Sequence, residues 1–151
     1  PKMREDLGYR VKEVSDHEHR ELSVQEVLAV FEKGYLNHTA PLNVSEAHFV
    51  QNENGSITAK VTITSGGNTT PCTATGNGRL DAVATAIEQQ TGMHFTLVHY
   101  SEHALDADTN ARACSYVGLK WASGEETWGC GTHTDIIVAG IKALVSAINN
   151  R

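Results

Sequence analysis

No apolar run in these 151 residues approaches the ~20 needed to cross a bilayer as a helix, and no signal-peptide pattern opens the chain. Positive charge is scarce as well. Lys and Arg number 12 against 18 Asp and Glu, a formal net charge of −6. The basic residues are scattered, so neither nucleic acid nor an anionic membrane surface is an expected partner. The three cysteines, Cys72, Cys114 and Cys130, form no CxxC pair and leave an odd count. They read as small buried apolar residues in a reducing compartment. Also missing are a GxxxxGK[ST] phosphate loop and any serine or cysteine nucleophile motif. With Pro 3, Gly 13, 40% hydrophobic and 20% charged residues, the composition is that of an ordinary globular domain. A chain of this length buries roughly 70% of its unfolded surface, enough for a self-supporting core. Pro1 has no Met before it, as expected of a processed chain or a fragment.

The first twenty residues, PKMREDLGYRVKEVSDHEHR, are charged and weakly periodic, and predict an exposed connector. Ser23 to Glu26 then fits a capping box, in which hydroxyl and carboxylate each satisfy a free backbone N–H. Val27, Leu28, Val30, Phe31, Tyr35 and Leu36 follow at helical spacing, predicting a helix over about 23–36 that NHTAPL ends. From Val44 the period changes to two. Ile57, Ala59, Val61 and Ile63 share one strand face, and Thr58, Lys60, Thr62 and Thr64 the other. The turn signals ENGS and SGGN on either side predict a three-stranded meander. RLDAVATAIEQQ reads as a helix closed by Gly92 at C′.

The order then repeats. HFTLVHY is a strand, and NARACSYVGLKW alternates, with Ala111, Ala113, Ser115, Val117, Leu119 and Trp121 on one face. SGEE turns the chain, TWGCG is a short third strand, and TDIIVAGIKALVSAINN is the closing helix. A slide of 54 residues puts Asp81 on Asp135, Val83 on Ile137 and Ile87 on Ile141, while Gly76/Gly78 and Gly129/Gly131 align at a slide of 53. The expected fold class is therefore α+β, a βββα unit present twice. A linker over 1–42 precedes a domain over 43–151, with repeats at about 44–92 and 93–151.

A strand that passes through Gly-x-Gly into a helix leaves backbone N–H groups free at the helix start. These and the helix dipole suit an anion such as a carboxylate, and glycine places no Cβ in the way of a ligand. The alternative is that the glycines only make tight strand-to-helix turns. Other chemistry is sparse. DHEH at Asp16 to His19 offers an HxH pair without a third ligand at suitable spacing, and reads as solvated charge. In HYSEHALDAD, His99, Ser101 and His103 share one strand face, and Tyr100 and Glu102 the other. An enzyme built on His103 and Glu102 would require turnover that vanishes in His103→Ala, and no nucleophile accompanies that pair.

GNGRLDA, YSEHAL, ARACSYVGL, WGCGTHTDI and ALVSAIN stand in the order and spacing of the C-terminal regulatory domain of 2-isopropylmalate synthases. The chain resembles that family over essentially its whole length, most strongly from Gly76 to Asn149. The larger form, found in fungi and actinobacteria, is the most similar. HRELSVQEVLAVFEKGYL resembles the family's helical linker. The resemblance implies the leucine-sensing, homodimeric, allosteric regulatory part of an acyltransferase that condenses acetyl-CoA with 2-oxoisovalerate in leucine biosynthesis. It further implies a divalent metal in a catalytic barrel N-terminal to this chain and no cofactor or activity in the chain alone. The implied location is the cytoplasm or an organellar matrix. The helix over 23–36 is the expected coupling element to the barrel.

Carried onto this sequence, the resemblance implies a leucine pocket with Asn77, Gly78, Leu80 and Asp81 at the first helix start. Leu97, Tyr100 and Ala104 would come from the fourth strand, Ala111 and Ala113 from the fifth, and Thr134 with Ile136 from the second helix start. Leu97, Ala111 and Ala113 could equally be ordinary core. Asp81 stands where the family commonly has alanine, and Thr134 where it has proline. Asp81 could pair with a ligand ammonium or only cap the helix. Two alternatives stay open: the related isoleucine-sensing domain of citramalate synthase, and a dimerisation module that has lost its ligand.

Overall fold

The computed structural model of the chain describes residues 7–12, 26–28, 30, 35, 42–104 and 112–151. Strands β1 (Leu42–Gln51), β2 (Ile57–Ser65) and β3 (Asn68–Gly76) form one antiparallel sheet in that order, followed by helix α1 (Arg79–Thr91). The predicted period-two face holds: Ala59, Val61 and Ile63 are buried, and Lys60 between them is exposed. Gly66 and Gly67, at φ 59° and 86°, link β2 to β3. Positive φ at both loop residues matches the right-handed strand twist, so the pairing runs from Ser65↔Asn68 outward. Gly92 ends α1 in the left-handed conformation, its N–H donating to the Glu88 carbonyl.

The second unit repeats the first. Strands β4 (Phe95–Ala104), β5 (Ala113–Trp121) and β6 (Glu126–His133) form the second sheet, and helix α2 (Ile136–Asn149) follows. The duplication extends to a defect that no periodicity predicts. The β1–β2 register shifts between Val44 and Glu46, and the β4–β5 register between Leu97 and His99. The bulged residues, Ser45 and Val98, are 53 positions apart. Because an extra residue reverses the alternation beyond it, Leu97 and Tyr100 fall on the same face, opposite Leu119 and Val117.

A single slide does not relate the units. Leu42 corresponds to Phe95, 53 residues on; Ile57 to Ala113, 56 on; Arg79 to Ile136, 57 on. The longer β4–β5 connection and β5–β6 turn account for the drift. The predicted equivalence of Gly76/Gly78 with Gly129/Gly131 is therefore corrected. Gly129 and Gly131 lie inside β6, and the residue at the place of Gly78 is Asp135, the N-cap of α2. A Cβ on Gly129 would lie 2.3 Å from the Ala143 carbonyl oxygen and the Ala147 nitrogen, and one on Gly131 2.3 Å from the Ala139 carbonyl oxygen. These glycines let α2 lie directly on β6, and the third strand is longer than TWGCG, reaching His133.

Both units feed one core. Ala59, Val61, Ile63, Val83 and Ile87 from the first join Val117, Leu119, Leu144 and Val145 from the second. α1 packs on β2 and β3, and α2 on β5 and β6 and, at its flank, on β1. Asn149 clamps the two units together. Its side chain accepts from the Leu42 N–H at 2.9 Å and donates to the Leu42 carbonyl at 2.8 Å. Buried Trp121 donates to Thr127 Oγ1 at 2.9 Å, which donates in turn to the Ala147 carbonyl at 2.7 Å.

The outer face of the second sheet is covered as well. Tyr35 is fully buried with Cys114, Trp128 and Cys130, and Leu7 packs against them. Residues 7–12 are helical; Gly8, Tyr9 and Lys12 are exposed as predicted for the connector, while Leu7 packs on this cluster and Arg10 sits 4.8 Å from the Tyr35 ring centroid. Glu26, Val27, Leu28, Val30 and Tyr35 are helical as predicted; Ser23, Phe31, Leu36 and the DHEH motif lie outside the described residues.

Candidate functional site

The two helix entrances differ. α1 starts at Gly78, which provides no side-chain cap, so the first-turn N–H groups face outward without one. Gly76 is closed in by the helix, since its Cβ would lie 2.7 Å from the Ala82 nitrogen; at Gly78 nothing lies within 4 Å. Of the two glycines, Gly78 is the one with room for a ligand. The Asp81 carboxylate accepts from the Asn77 N–H at 3.1 Å, which closes the turn, and both residues are exposed. Leu80 is half-buried against the core. At α2, by contrast, the Asp135 side chain accepts from the Ile137 N–H at 2.9 Å. That occupies one donor and adds a negative charge where an anion would approach.

The edge strands differ in the opposite sense. The inner face of β1 carries Val44, Ala47 and Phe49, which pack against the core and line an open cleft of about 890 Å3 with Ile136, Ile137 and Ile141 of α2. Arg79 reaches into that cleft over Phe49, 5.9 Å from its ring centroid. The corresponding face of β4 has no such roof among the described residues. Leu97 is 39% exposed and Tyr100 38%, and Ile136 at the start of α2 is 37% exposed. The Tyr100 ring lies against α2 at Gly140, where a Cβ would come within 3.3 Å of its hydroxyl.

Tyr100 donates to Glu102 at 2.9 Å. Burial, and then that bond, hold its hydroxyl above the usual phenol range. Ser115, opposite Glu102 in the register, is fully buried, and its hydroxyl has no hydrogen-bond partner among the described residues. A buried orphan hydroxyl beside an exposed apolar face is a residue the sequence reading missed as a site candidate; its strand alternation marked it only as core.

Of the other predicted positions, Ala113 is buried and paired with Ala104 in the β4–β5 register. Thr134 is exposed just before α2, and Ala111 lies outside the described residues. Thus Leu97 and Tyr100 lie on the inner face of β4 opposite Leu119 and Val117, Ala113 lies at the far end of that strand pair opposite Ala104, and Ile136 lines the cleft beside β1. Asn77, Gly78, Leu80 and Asp81 lie at the entrance of a helix that packs on β2 and β3. Leu97 is not core, contrary to one of its two readings; Ala113 is.

His103 and Glu102 do not form a pair. His103 lies on the outer face with its ring 5.9 Å from Tyr116, and Glu102 faces inward as the acceptor of Tyr100. Among the described residues no three potential metal ligands gather, and no helix is long and apolar enough to cross a membrane. Below the outer face, Cys114 and Cys130 approach to 3.0 Å between sulfurs. The Cys114 thiol is lowered to about 6, chiefly by the hydrogen bond from Cys130, which outweighs burial. The same contact, followed by burial, pushes Cys130 up. Cys72 is half-buried, not buried as predicted for all three.

The sequence profile of the LeuA allosteric (dimerisation) domain family matches residues 21–151. Among curated proteins, the chain is 40% identical over 148 residues to the 2-isopropylmalate synthase of Desulfitobacterium hafniense (strain Y51), covering 98% of this chain and 26% of that protein. It is 33% identical over 156 residues to the 2-isopropylmalate synthase of Helicobacter hepaticus, covering 99% and 28%. With the Mycobacterium leprae 2-isopropylmalate synthase it shares 30% over 141 residues, covering 92% and 23%. The chain thus spans about a quarter of the length of these relatives.

Proposed function

The chain belongs to the LeuA allosteric (dimerisation) domain family, and from that premise we propose that it is the leucine-sensing regulatory part of a 2-isopropylmalate synthase. The reaction regulated is then the condensation of acetyl-CoA with 2-oxoisovalerate, carried out with a divalent metal by parts of the protein outside this chain. The observation that carries the reading is the inner face of β4, which no helix roofs among the described residues. Leu97 and Tyr100 are 39% and 38% exposed there, on a domain of a dimerising family.

We further propose that a second copy covers this face and brings the entrance of its α1. The pseudo-symmetry supports that arrangement. Within one chain, the bulged inner face of β1 is roofed by the flank of α2 and by Arg79 at the start of α1. The inner face of β4 carries the equivalent bulge, and among the described residues no equivalent helix roofs it. A copy placing its α1 there would set the uncapped first turn and the open space at Gly78 beside Leu97 and Tyr100. The free N–H groups would take the leucine carboxylate, the exposed Asp81 carboxylate the ammonium, and the β4 face the isobutyl group.

Burying the side chain contributes roughly 2–3 kcal/mol, and the one methylene that separates leucine from valine is worth ~1–3 kcal/mol in a fitted pocket. Leucine is accordingly preferred over valine by about 10- to 200-fold, and isoleucine is distinguished by shape alone. Isothermal titration of the dimer with leucine, isoleucine and valine tests the reading. Saturable binding tightest for leucine is expected. Tightest binding of isoleucine moves the chain to the citramalate synthase branch, and no heat with any of the three leaves dimerisation as its function.

A further inference from the structure

Cys114 on β5 and Cys130 on β6 lie on the same, outer face of the second sheet, away from the ligand face. They are diagonal neighbours in the register, where Cys114 pairs with Thr132 and Tyr116 with Cys130. Diagonal side chains in an antiparallel pair are commonly too far apart to touch unless they are long. Here the sulfurs stand 3.0 Å apart, with both thiols free. Trp128 is drawn over Gly118, where a Cβ would meet its ring at 2.4 Å, and Tyr35 closes the cluster from above. The remaining cysteine, Cys72, belongs to the first sheet and faces Gln90 on α1.

We propose that Cys114 and Cys130 are a reversible dithiol–disulfide site, oxidised by exchange with a low-molecular-weight disulfide. In the first step the Cys114 thiolate attacks one sulfur of the small disulfide; an S–S bond forms to Cys114 and the first small thiolate leaves. In the second, Cys130 gives up its proton and attacks the Cys114 sulfur, and the second small thiol leaves. The protein pair loses two electrons and two protons, and the small disulfide is reduced to two thiols. Reaching a covalent length of about 2.05 Å shortens the 3.0 Å sulfur separation by about 1 Å.

The division of labour follows the exposure. Cys114 retains 4% of its surface and Cys130 none, so the first attack falls to Cys114 and the resolving one to Cys130. The thiolate is the attacking species, and its retention on Cys114 by the Cys130 hydrogen bond favours that order. The site lies where Tyr35 and Leu7 of the N-terminal helical segments dock, a position from which a change in the sheet surface reaches those segments.

The test is intact mass spectrometry of the native chain equilibrated with excess oxidised glutathione, followed by a non-reducing peptide map. The expected result is a mass lower by two hydrogens, a single link between Cys114 and Cys130, and full reversal by dithiothreitol. Cys72→Ala retains the link. Cys130→Ala accumulates a glutathione adduct on Cys114 that cannot resolve, a signature that does not depend on the double-cysteine state. An unchanged mass, a wild-type protein that stops at the glutathione adduct, or links distributed over all three cysteines would overturn the proposal.

Discussion

The two repeats share strand order, bulge and closing helix, yet each is finished where the other is open. In the first, the edge strand β1 is roofed by α2 while the helix entrance at Gly78 is uncapped and unobstructed. In the second, the helix entrance is capped by Asp135, and among the described residues no helix roofs the edge strand β4, whose Leu97 and Tyr100 are part-exposed. Glycine is spent differently too: at Gly78 it leaves space, and at Gly129 and Gly131 it removes space so that helix and strand can touch. In the proposed dimer the open helix entrance of one copy meets the β4 face of the other. Symmetric pairing of this kind is self-limiting, because a two-fold interface closes on itself.

Substitutions break this comparison in graded steps, read as shifts of the urea midpoint. Gly129→Ala has the largest effect, a loss of about 3 kcal/mol, because its Cβ meets the backbone of α2 rather than a side chain that can move aside. Thr127→Val follows at about 2 kcal/mol, since it strands the buried Trp121 indole N–H and the Ala147 carbonyl together. Asp135→Ala removes the cap of α2 and costs about 1 kcal/mol. Gly78→Ala stays within about 0.5 kcal/mol of wild type, its φ of −145° being open to any residue. A Gly78→Ala loss as large as that of Gly129→Ala would erase the distinction between the two Gly-x-Gly pairs.

The duplication was legible in the sequence because two hydrophobic periods, two and 3.6, alternate twice with turn residues between them. What escaped was set by one-residue events. The bulges at Ser45 and Val98 leave no mark in composition, and only the paired strand reveals that Leu97 and Tyr100 share a face. The slide that aligned Gly76/Gly78 with Gly129/Gly131 failed because the offset grows from 53 to 57, three residues entering between β4 and β5 and one more by the start of α2, in connections whose length carries no hydrophobic signal. The closeness of Cys114 and Cys130 was likewise hidden, since a separation of 16 residues acquires meaning only from the β5–β6 register. The residues of the ligand pocket came from family resemblance; physical patterning alone reached no further than the helix entrance at Gly78.

Subunit complementation tests the central claim, a leucine pocket shared between two copies, most directly. Gly78→Trp fills the α1 entrance and Leu97→Trp fills the β4 face, at positions whose side chains point into open space or are substantially exposed. Each variant alone, confirmed as a dimer by sedimentation, should give no leucine heat. Mixed and allowed to exchange, the two form heterodimers that hold one pocket free of both substitutions, and leucine binding should return with wild-type affinity at reduced stoichiometry. Binding that stays absent from verified heterodimers would contradict the account and put both halves of the pocket within a single chain.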